Sequence, residues 1–301
     1  MNAWINQHKK DLLRLHWIVF IYGFTAILGK LIQLDSVTLV WYRMGLAALF
    51  LGIYAIINKH LFTFSIIGLL SLSGTGILVA IHWITFFGAI KASNVSVALG
   101  CFASTTLFTA LLEPLFFKRK ISFIEVIIGI IIIVGLYLIF QFEFQYIIGI
   151  SLSLISALLA SLFTIINKKL INNHHPLEIS VVEIAAGFIG ITIWFLATNK
   201  INSSFPLPSL NDWFYLIILS SICTAYAFVV STDVMKSLSA YTVVLTVNLE
   251  PVYAIVLAYF IFGETEHMSY GFYIGTLIIL LAVFIYPIWQ KHQLKKAPII
   301  T

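Results

Sequence analysis

Charged side chains are scarce in this sequence. Asp, Glu, Lys and Arg make up 10% of its 301 residues, and hydrophobic residues make up 61%, whereas soluble domains carry roughly 25% charged residues. Apolar runs of about 20 residues, the length that crosses a bilayer as a helix, recur along the whole chain. Alternating segments of about 10 residues, which barrel strands need, are not seen. The composition excludes a soluble domain and predicts an all-α integral membrane protein.

Cysteines and nucleotide- or metal-binding motifs are also few. Cys101 and Cys223 are the two cysteines, and both fall inside apolar runs, so we predict small core residues rather than a disulfide framework. No GxxxxGK[ST] loop and no HExxH motif is present, and we expect neither direct ATP use, nor a cofactor, nor a metal. The formal net charge is +5, and the basic residues that produce it lie between the apolar runs. The expected partners are therefore a lipid bilayer and a small-molecule substrate, and not nucleic acid.

Ten apolar runs are separated by short polar connections. We predict ten membrane-spanning helices, at Trp17–Ile32, Val37–Ile57, Ser65–Ile90, Val95–Phe117, Phe123–Phe140, Ile147–Asn167, Leu177–Thr198, Trp213–Met235, Ala240–Phe262 and Met268–Trp289.

Basic residues fall unevenly on the two sides of this arrangement. One side holds most of them, at Lys9, Lys10, Arg14, Lys59, Lys118, Arg119, Lys120, Lys168, Lys169, Lys236, Lys291, Lys295 and Lys296. The other side holds Lys30, Lys91 and Lys200. The positive-inside rule then predicts a multi-pass protein of the inner (cytoplasmic) cell membrane, with both termini in the cytoplasm.

The ten runs divide into two sets of five. We predict one five-helix repeat in residues 1–142 and a second in residues 143–301, forming one integral bundle. Weak matches recur between the halves, such as Ile128-Gly129 with Ile274-Gly275. Because five is odd, the second repeat enters the membrane from the opposite side. The prediction is a 5+5 inverted-topology repeat with a site near the midplane, between the halves.

The stretch Val243–Glu266 sets a carboxylate in the middle of an apolar run. Asn248, Glu250 and Pro251 lie at its centre. A central acidic residue costs roughly 2.5–3.5 kcal/mol on insertion into lipid, and a proline breaks the helix because it lacks a backbone N–H. Transporters often build substrate sites from such broken helices. We therefore predict Pro251 as a hinge, and Asn248 and Glu250 as residues that bind substrate or couple its transport.

This stretch resembles the drug/metabolite transporter superfamily, and within it the EamA-type transporters. Asn248-Leu249-Glu250-Pro251-Val252-Tyr253-Ala254, followed by Gly263-Glu264, is similar to the LEPV-x-A pattern and closing GE of that family. Arg43 resembles an arginine often found early in the second span. The resemblance covers essentially the whole chain and implies transport of amino acids, other small polar metabolites or drugs.

The first half departs from this pattern. Its Glu113-Pro114 lies eight residues beyond Thr105-Thr106, the equivalent of Glu250-Pro251. We therefore do not assign Glu113 the role of Glu250.

Other polar residues within the spans are candidates for the same site. At about 1.5 Å of rise per residue, Glu250 lies about 15 Å deep, near the centre of the membrane. Three further candidates fall in the central-to-outer part of their spans, namely Arg43, Lys30 and His82. An anionic Glu250 beside them would suit the binding of a zwitterion or a proton. By position alone, the candidates for the cavity wall are Tyr22, Trp83 and Tyr226. Glu183 and Asp233 lie near the cytoplasmic ends of their spans and are candidate inner-gate residues.

Structural interpretations of the same residues remain open. The same pattern fits a Glu250 carboxyl that bonds to the broken backbone. It also fits Arg43 and Lys30 side chains that snorkel to the interface, and His82 as a satisfied core residue. Gly271-x3-Gly275 presents a small-residue face that packs either within the fold or against another subunit. A monomer and a homodimer are therefore both open.

The sequence thus predicts a secondary transporter that works by alternating access. The resemblance makes amino acids the leading substrate class and export the leading direction. Drug efflux and flipping of a lipid-linked substrate are alternatives on the same fold. A membrane-embedded enzyme is disfavoured, because Ser71-Leu72-Ser73-Gly74 lacks the first glycine of an intramembrane protease motif.

Overall fold

The computed structural model describes residues 2–60, 62–120, 122–202 and 204–296, with side chains described for these residues except 2–6, 283–284 and 286–296. Three lysines of the predicted cytoplasmic side, Lys291, Lys295 and Lys296, have side chains outside the described set. Within these ranges the chain forms helices and no strand. The predicted all-α fold is therefore confirmed.

The helices of the first half are α1 (Asn2–Leu31), α2 (Ser36–Ile57), α3 (Ile66–Ala92), α4 (Val95–Phe102), α5 (Thr105–Phe117) and α6 (Phe123–Phe142). Those of the second half are α7 (Ile147–Leu170), α8 (Pro176–Ala197), α9 (Leu210–Ser220), α10 (Ala227–Val234), α11 (Ala240–Val247), α12 (Glu250–Phe262) and α13 (Tyr270–Lys296). A π-helical segment, Ser221–Tyr226, joins α9 to α10.

Nine helical segments in the described ranges are long and apolar enough to cross a membrane. A tenth apolar helix, Tyr270–Ala282, is shorter by the same measure and forms the first part of α13. Two of the nine, Val95–Phe117 and Ala240–Glu266, contain a break. The prediction of many membrane-spanning helices is confirmed, and the broken segments include the one that carries Glu250.

The two halves repeat the same pattern of helices and breaks. Helices α2 and α8 each have 22 residues, and their starts lie 140 positions apart. Helices α4 and α5 have 8 and 13 residues, and so do α11 and α12, with an offset of 145. The residues that follow α5 and α12, Lys118 (φ 52°) and Gly263 (φ 58°), both have a positive φ. Each half thus contains one span that is broken at the equivalent position.

Helices from the two halves interleave. Helix α3 packs against α7 and α8, α2 packs against α8, and α1 packs against α12. Helices α3 and α8 approach closely, because a Cβ on Gly76 would lie 2.3 Å from the carbonyl oxygen of Glu183. Only glycine allows this contact without a shift of one helix. The interior of the bundle is consequently lined by both halves.

The small-residue face of α13 packs within the chain. A Cβ on Gly275 would lie 2.6 Å from the carbonyl oxygen of Gly135 in α6, and one on Gly271 would meet the ring of Phe142. Helices α6 and α13 thus approach closely, in the manner of small-residue packing in membranes. This face is used inside the protein.

Polar contacts between helices are found at both ends of the bundle. We call the end with Arg14, Lys59, Lys118, Arg119, Lys168 and Lys236 the lysine-rich end, and the end with Lys30, Asp35 and Glu266 the opposite end. At the opposite end, Lys30 Nζ lies 2.7 Å from Glu266 Oε1. Glu266 also accepts hydrogen bonds from the backbone N–H groups of Val95 and Ser96, at 3.1 and 2.9 Å, at the start of α4.

A related arrangement is found at the lysine-rich end. Arg119 Nη2 donates to Glu113 Oε2 at 2.9 Å, and Glu113 Oε1 accepts from the backbone N–H of Tyr241 at 3.3 Å, in the first turn of α11. Tyr241 lies 145 positions after Ser96. Each broken helix therefore begins against a carboxylate from the other half, where negative charge is favourable.

Candidate functional site

Two broken helices meet near the middle of the bundle. Helix α11 ends at Val247, and α12 begins at Glu250 with Pro251 in its first turn, where the missing N–H costs no helical hydrogen bond. Asn248, in the break, donates through Nδ2 to the carbonyl of Ala103 at 2.8 Å and to the hydroxyl of Thr106. Asn248 thus joins its own break to the α4–α5 break. The break predicted at Pro251 is present, and its hinge motion stays a prediction.

Next to these breaks lies a cavity of about 100 Å³. Five residues predicted for the site line it, namely Tyr22, Arg43, His82, Trp83 and Glu250. Other lining residues were not predicted as site residues, among them Thr25, Phe102, Thr105, Phe163, Thr164, Asn167, Phe228 and Met235. One signal was present in the sequence, because Phe24-Thr25 and Phe163-Thr164 match at an offset of 139.

Arg43 is held firmly in the wall of this cavity. It is 2% exposed, its Nε donates to Thr224 Oγ1 at 2.7 Å, and its Cζ lies 3.8 Å from the centroid of the Trp83 ring. The π-helical segment positions Thr224, whose hydroxyl bonds the carbonyl of Leu219, five residues earlier. Nη1 of Arg43 has no hydrogen-bond partner among the described residues. Arg43 therefore lies in the interior and does not snorkel to the interface.

Glu250 lines the same cavity as the first residue of α12. It is 5% exposed, and Arg43 is the cationic group whose charge acts on it. Among the described residues no basic nitrogen lies within 4.0 Å of its carboxylate. The start of a helix favours a negative charge. The cavity wall thus carries a guanidinium and a carboxyl group that do not form an ion pair with each other.

His82 uses one ring nitrogen for structure. Its Nδ1 lies 3.0 Å from the carbonyl oxygen of Ser156 and 2.8 Å from the hydroxyl oxygen of the same residue. The hydroxyl of Ser156 also lies 3.2 Å from the carbonyl oxygen of His82. His82 is both a satisfied core residue and part of the cavity wall.

Three residues predicted for the substrate site do not line the cavity. Asn248 is one of them, and its side chain bonds across the two helix breaks. Lys30 pairs with Glu266 at the opposite end and lies 4.2 Å from the centroid of the Phe262 ring. Tyr226 is 49% exposed, on the outer surface of the π-helical segment. The predicted position of each residue along its helix axis did not determine which face it occupies.

The candidate gate residues lie toward the lysine-rich end. Asp233 Oδ2 lies 2.8 Å from Arg14 Nη2, and its Oδ1 lies 2.9 Å from Lys236 Nζ. Glu183 is fully buried and accepts from Asn167 Nδ2 at 3.1 Å. Because Asn167 lines the cavity, Glu183 lies directly behind the cavity wall.

The cavity extends toward the lysine-rich end. Asn167, Met235 and Val243 line it and lie within about one turn of the helix ends there. In the other direction it stops at Arg43, seven residues and about 10 Å from the start of α2. Beyond that point Trp41 packs against the rings of Phe188, Phe195 and Phe205. The opposite end is therefore the closed one.

Comparison with known proteins agrees with this architecture. Residues 15–141 and 147–287 each match the EamA-like transporter family. An uncharacterized transporter of Clostridium kluyveri is 25% identical over 237 residues, which cover 76% of this chain and 75% of that protein. An uncharacterized transporter of Bacillus subtilis is 24% identical over 259 residues, which cover 83% and 81%.

One protein of known crystal structure has the same fold. The match to it has a TM-score of 0.69 and 13% sequence identity, and it covers 95% of this chain and 99% of that chain. The family matches take in both halves of the chain and every residue of the cavity. The chain belongs to the EamA-like transporter family and is a multi-pass membrane transporter.

Proposed function

We propose that this protein is a secondary transporter that moves small zwitterionic metabolites, with amino acids as the leading class, by alternating access. One observation carries the proposal: the Arg43 guanidinium and the Glu250 carboxyl group line one buried cavity and form no ion pair with each other. Transport, and not catalysis, is the proposed activity.

The charges of the cavity match those of a zwitterion. A buried charge without a partner is costly, and attraction between charges is stronger in a low-dielectric interior. An α-carboxylate beside the Arg43 guanidinium and an ammonium group beside Glu250 would supply both missing partners at once. The rings of Trp83, Phe102 and Phe163 offer an apolar surface for the rest of the substrate. Substrate binding would then offset the cost of two buried charges.

The position of the cavity supports export. The positive-inside rule assigns the lysine-rich end to the cytoplasm of a cell with an inner membrane, and the cavity extends toward that end. In this arrangement the substrate enters from the cytoplasm, while the Lys30–Glu266 pair and the aromatic cluster around Trp41 close the opposite end. Both termini would lie in the cytoplasm, and the cavity lies within a single chain, so a monomer suffices for transport.

Counterflow in proteoliposomes tests the proposal. Labelled amino acids, nucleosides and cationic drugs would be offered to liposomes preloaded with the same unlabelled compound, a format that needs no knowledge of the energy source. We expect amino-acid uptake that Glu250→Gln and Arg43→Gln each abolish. Glu264→Gln is the matched control, because the Glu264 side chain is 91% exposed.

Other outcomes would contradict the zwitterion. Uptake of cationic drugs that needs Glu250 but not Arg43 would replace it with a drug substrate. If folded, reconstituted protein moved no member of the panel, the amino-acid assignment would fall, and a lipid-linked substrate would be tested next.

A further inference from the structure

We infer that Glu183 is a proton-binding site of the transport cycle, distinct from Glu250 and connected to the substrate cavity through Asn167. The inference rests on the proposed transport function and adds its coupling ion. It separates two roles: Glu250 faces substrate, whereas Glu183 takes up and releases a proton behind the cavity wall.

The packing around Glu183 is tight and excludes lipid. Glu183 is 0% exposed, and the α3 backbone at Gly76 presses against its own backbone. Its Oε2 accepts from Asn167 Nδ2 at 3.1 Å, and its Oε1 has no hydrogen-bond partner among the described residues. A carboxyl group in this position has one oxygen ready to carry a proton.

Within the described part of the chain, no basic nitrogen lies within 4.0 Å of the Glu183 carboxylate. Its own helix carries Glu178, and α2 carries two tyrosines, Tyr42 and Tyr54. The other titratable and charged groups on the helices packed around it, and on α7, which supplies Asn167, are Arg43 (α2), His82 and Lys91 (α3), Lys168 and Lys169 (α7) and Asp233 (α10).

Each of these groups has a different neighbour. Arg43 bonds Thr224, and His82 bonds Ser156. The carbonyl of Ile32 accepts from Lys91, and that of Met235 accepts from Lys168. Lys169 lies over the Phe116 ring, and Asp233 pairs with Arg14 and Lys236. An ionised carboxylate at this depth without a cation is costly, so a bound proton is the stable form in this conformation.

Asn167 supplies the route between Glu183 and the cavity. Its side chain lines the cavity, and its Oδ1 has no partner among the described residues. When the proton leaves, the O–H bond of the Glu183 carboxyl breaks and a cavity water takes the proton as hydronium. The carboxylate keeps the Nδ2 donor of Asn167. Because the same amide forms part of the cavity wall, proton release changes the surface that substrate meets.

Glu183 has an equivalent residue in the first repeat, Arg43. Arg43 and Glu183 lie 140 positions apart, the offset between α2 and α8. Arg43 places a fixed charge in the half of the bundle nearer the opposite end. Glu183 places a switchable charge in the half nearer the lysine-rich end. During a transport cycle that opens the two ends in turn, the half nearer the opposite end would thus keep a permanent charge. The half nearer the lysine-rich end would gain and lose its charge as Glu183 binds and releases a proton.

Two transport measurements on Glu183→Gln test this inference. The glutamine mimics the protonated carboxyl, so we expect counterflow of labelled alanine to persist near the wild-type level. Uptake driven by an imposed pH gradient should fall to the level of liposomes without a gradient. Glu264→Gln should keep both activities. Wild-type counterflow with no response to a pH gradient would overturn this inference alone, and so would loss of counterflow in Glu183→Gln. Absence of counterflow in the wild type would instead overturn the proposed function.

Infrared difference spectroscopy gives a readout that does not depend on transport. Reconstituted protein would be titrated, with the proton itself as the probe. We expect a protonated-carboxyl band in the wild type that Glu183→Gln removes and that Asn167→Leu shifts, because the latter takes away the Nδ2 donor. If Glu183→Gln does not fold, Asn167→Leu provides the test. An unchanged carboxyl band in either folded variant contradicts the assignment.

Discussion

Glu266 accepts two hydrogen bonds from Ser96, one from the backbone N–H at 2.9 Å and one from the hydroxyl at 2.7 Å. Lys30 lies on the other side of the same carboxylate, at 2.7 Å. Helices α1 and α4 and the 3₁₀ turn Gly263–Glu266 that follows α12 thus converge on one buried acidic group. This cluster closes the opposite end of the bundle.

Loss of the Lys30–Glu266 pair should favour opening at that end. A charge-assisted contact of this kind is worth about 1–2 kcal/mol, so Lys30→Met should shift the equilibrium about 5- to 30-fold. The measurement is the rate at which an impermeant thiol reagent modifies Thr105→Cys, in a background that lacks Cys101 and Cys223. Lys200→Met is the control, because Lys200 lies at the same end against Trp194 and outside the cluster. Equal rates in the two variants would contradict the role of the pair.

Glu250 and Glu113 should differ in what their loss impairs. Glu250 lines the cavity, whereas Glu113 holds Arg119 and the start of α11. We expect Glu250→Gln to lower transport at least tenfold at an unchanged melting temperature. Glu113→Gln should lower the melting temperature and keep transport per folded molecule. Equal loss of transport in both, or loss only in Glu113→Gln, would remove Glu250 from the centre of the site.

Arg43 should not be replaceable by lysine. Lysine keeps the charge but loses both the Nε bond to Thr224 and the planar contact with Trp83. A loss of about 1–2 kcal/mol should raise the half-saturating substrate concentration about 5- to 30-fold.

Thr224→Val should weaken binding in the same direction, because it frees Arg43 from its position. Thr85→Val is the matched control, since that hydroxyl bonds only the carbonyls of its own helix. Wild-type affinity in both Arg43→Lys and Thr224→Val would show that guanidinium geometry is irrelevant to binding.

Two glycines of α3 should respond in opposite ways to alanine. A Cβ on Gly76 would lie 2.3 Å from the Glu183 carbonyl oxygen, whereas a Cβ on Gly74 has open space around it. We expect Gly76→Ala to destabilise the protein by about 1–3 kcal/mol through overpacking. Gly74→Ala should be neutral or stabilise it by up to about 1 kcal/mol, because alanine favours the helix. Thermal unfolding in detergent compares the two, and equal melting temperatures would contradict the close approach of α3 and α8.

The sequence predicted the helical membrane fold and the broken segment around Pro251, because both follow from spacing and residue type. It also predicted Thr105 as the equivalent of Glu250, and the structure begins α5 and α12 at these two residues. The face that a residue occupies was harder to predict. Rise along a helix is fixed per residue, but rotation about its axis depends on packing against distant helices. Lys30 was consequently assigned to a cavity that it does not reach.

Tyr226 shows a second reason. The π-helical segment Ser221–Tyr226 turns less per residue than an α-helix, so a 3.6-residue period does not carry across it. Asn167 was not predicted as a site residue, because it lies next to two lysines at the end of α7. Its hydrogen bond to Glu183 joins two helices and becomes visible only in the folded chain.

The exchange of carboxylates between the halves has a consequence for synthesis of the chain. The backbone N–H groups of Val95 and Ser96, at the start of α4, donate to Glu266. The backbone N–H of Tyr241, at the start of α11, donates to Glu113. The first half therefore leaves the ribosome with the start of its broken helix incomplete, and nearly the whole second half must be made before Glu266 arrives. A protein cut between α6 and α7 would recover this contact only if both fragments were inserted in the same membrane, so the two halves are joined in their folding as well as in their cavity.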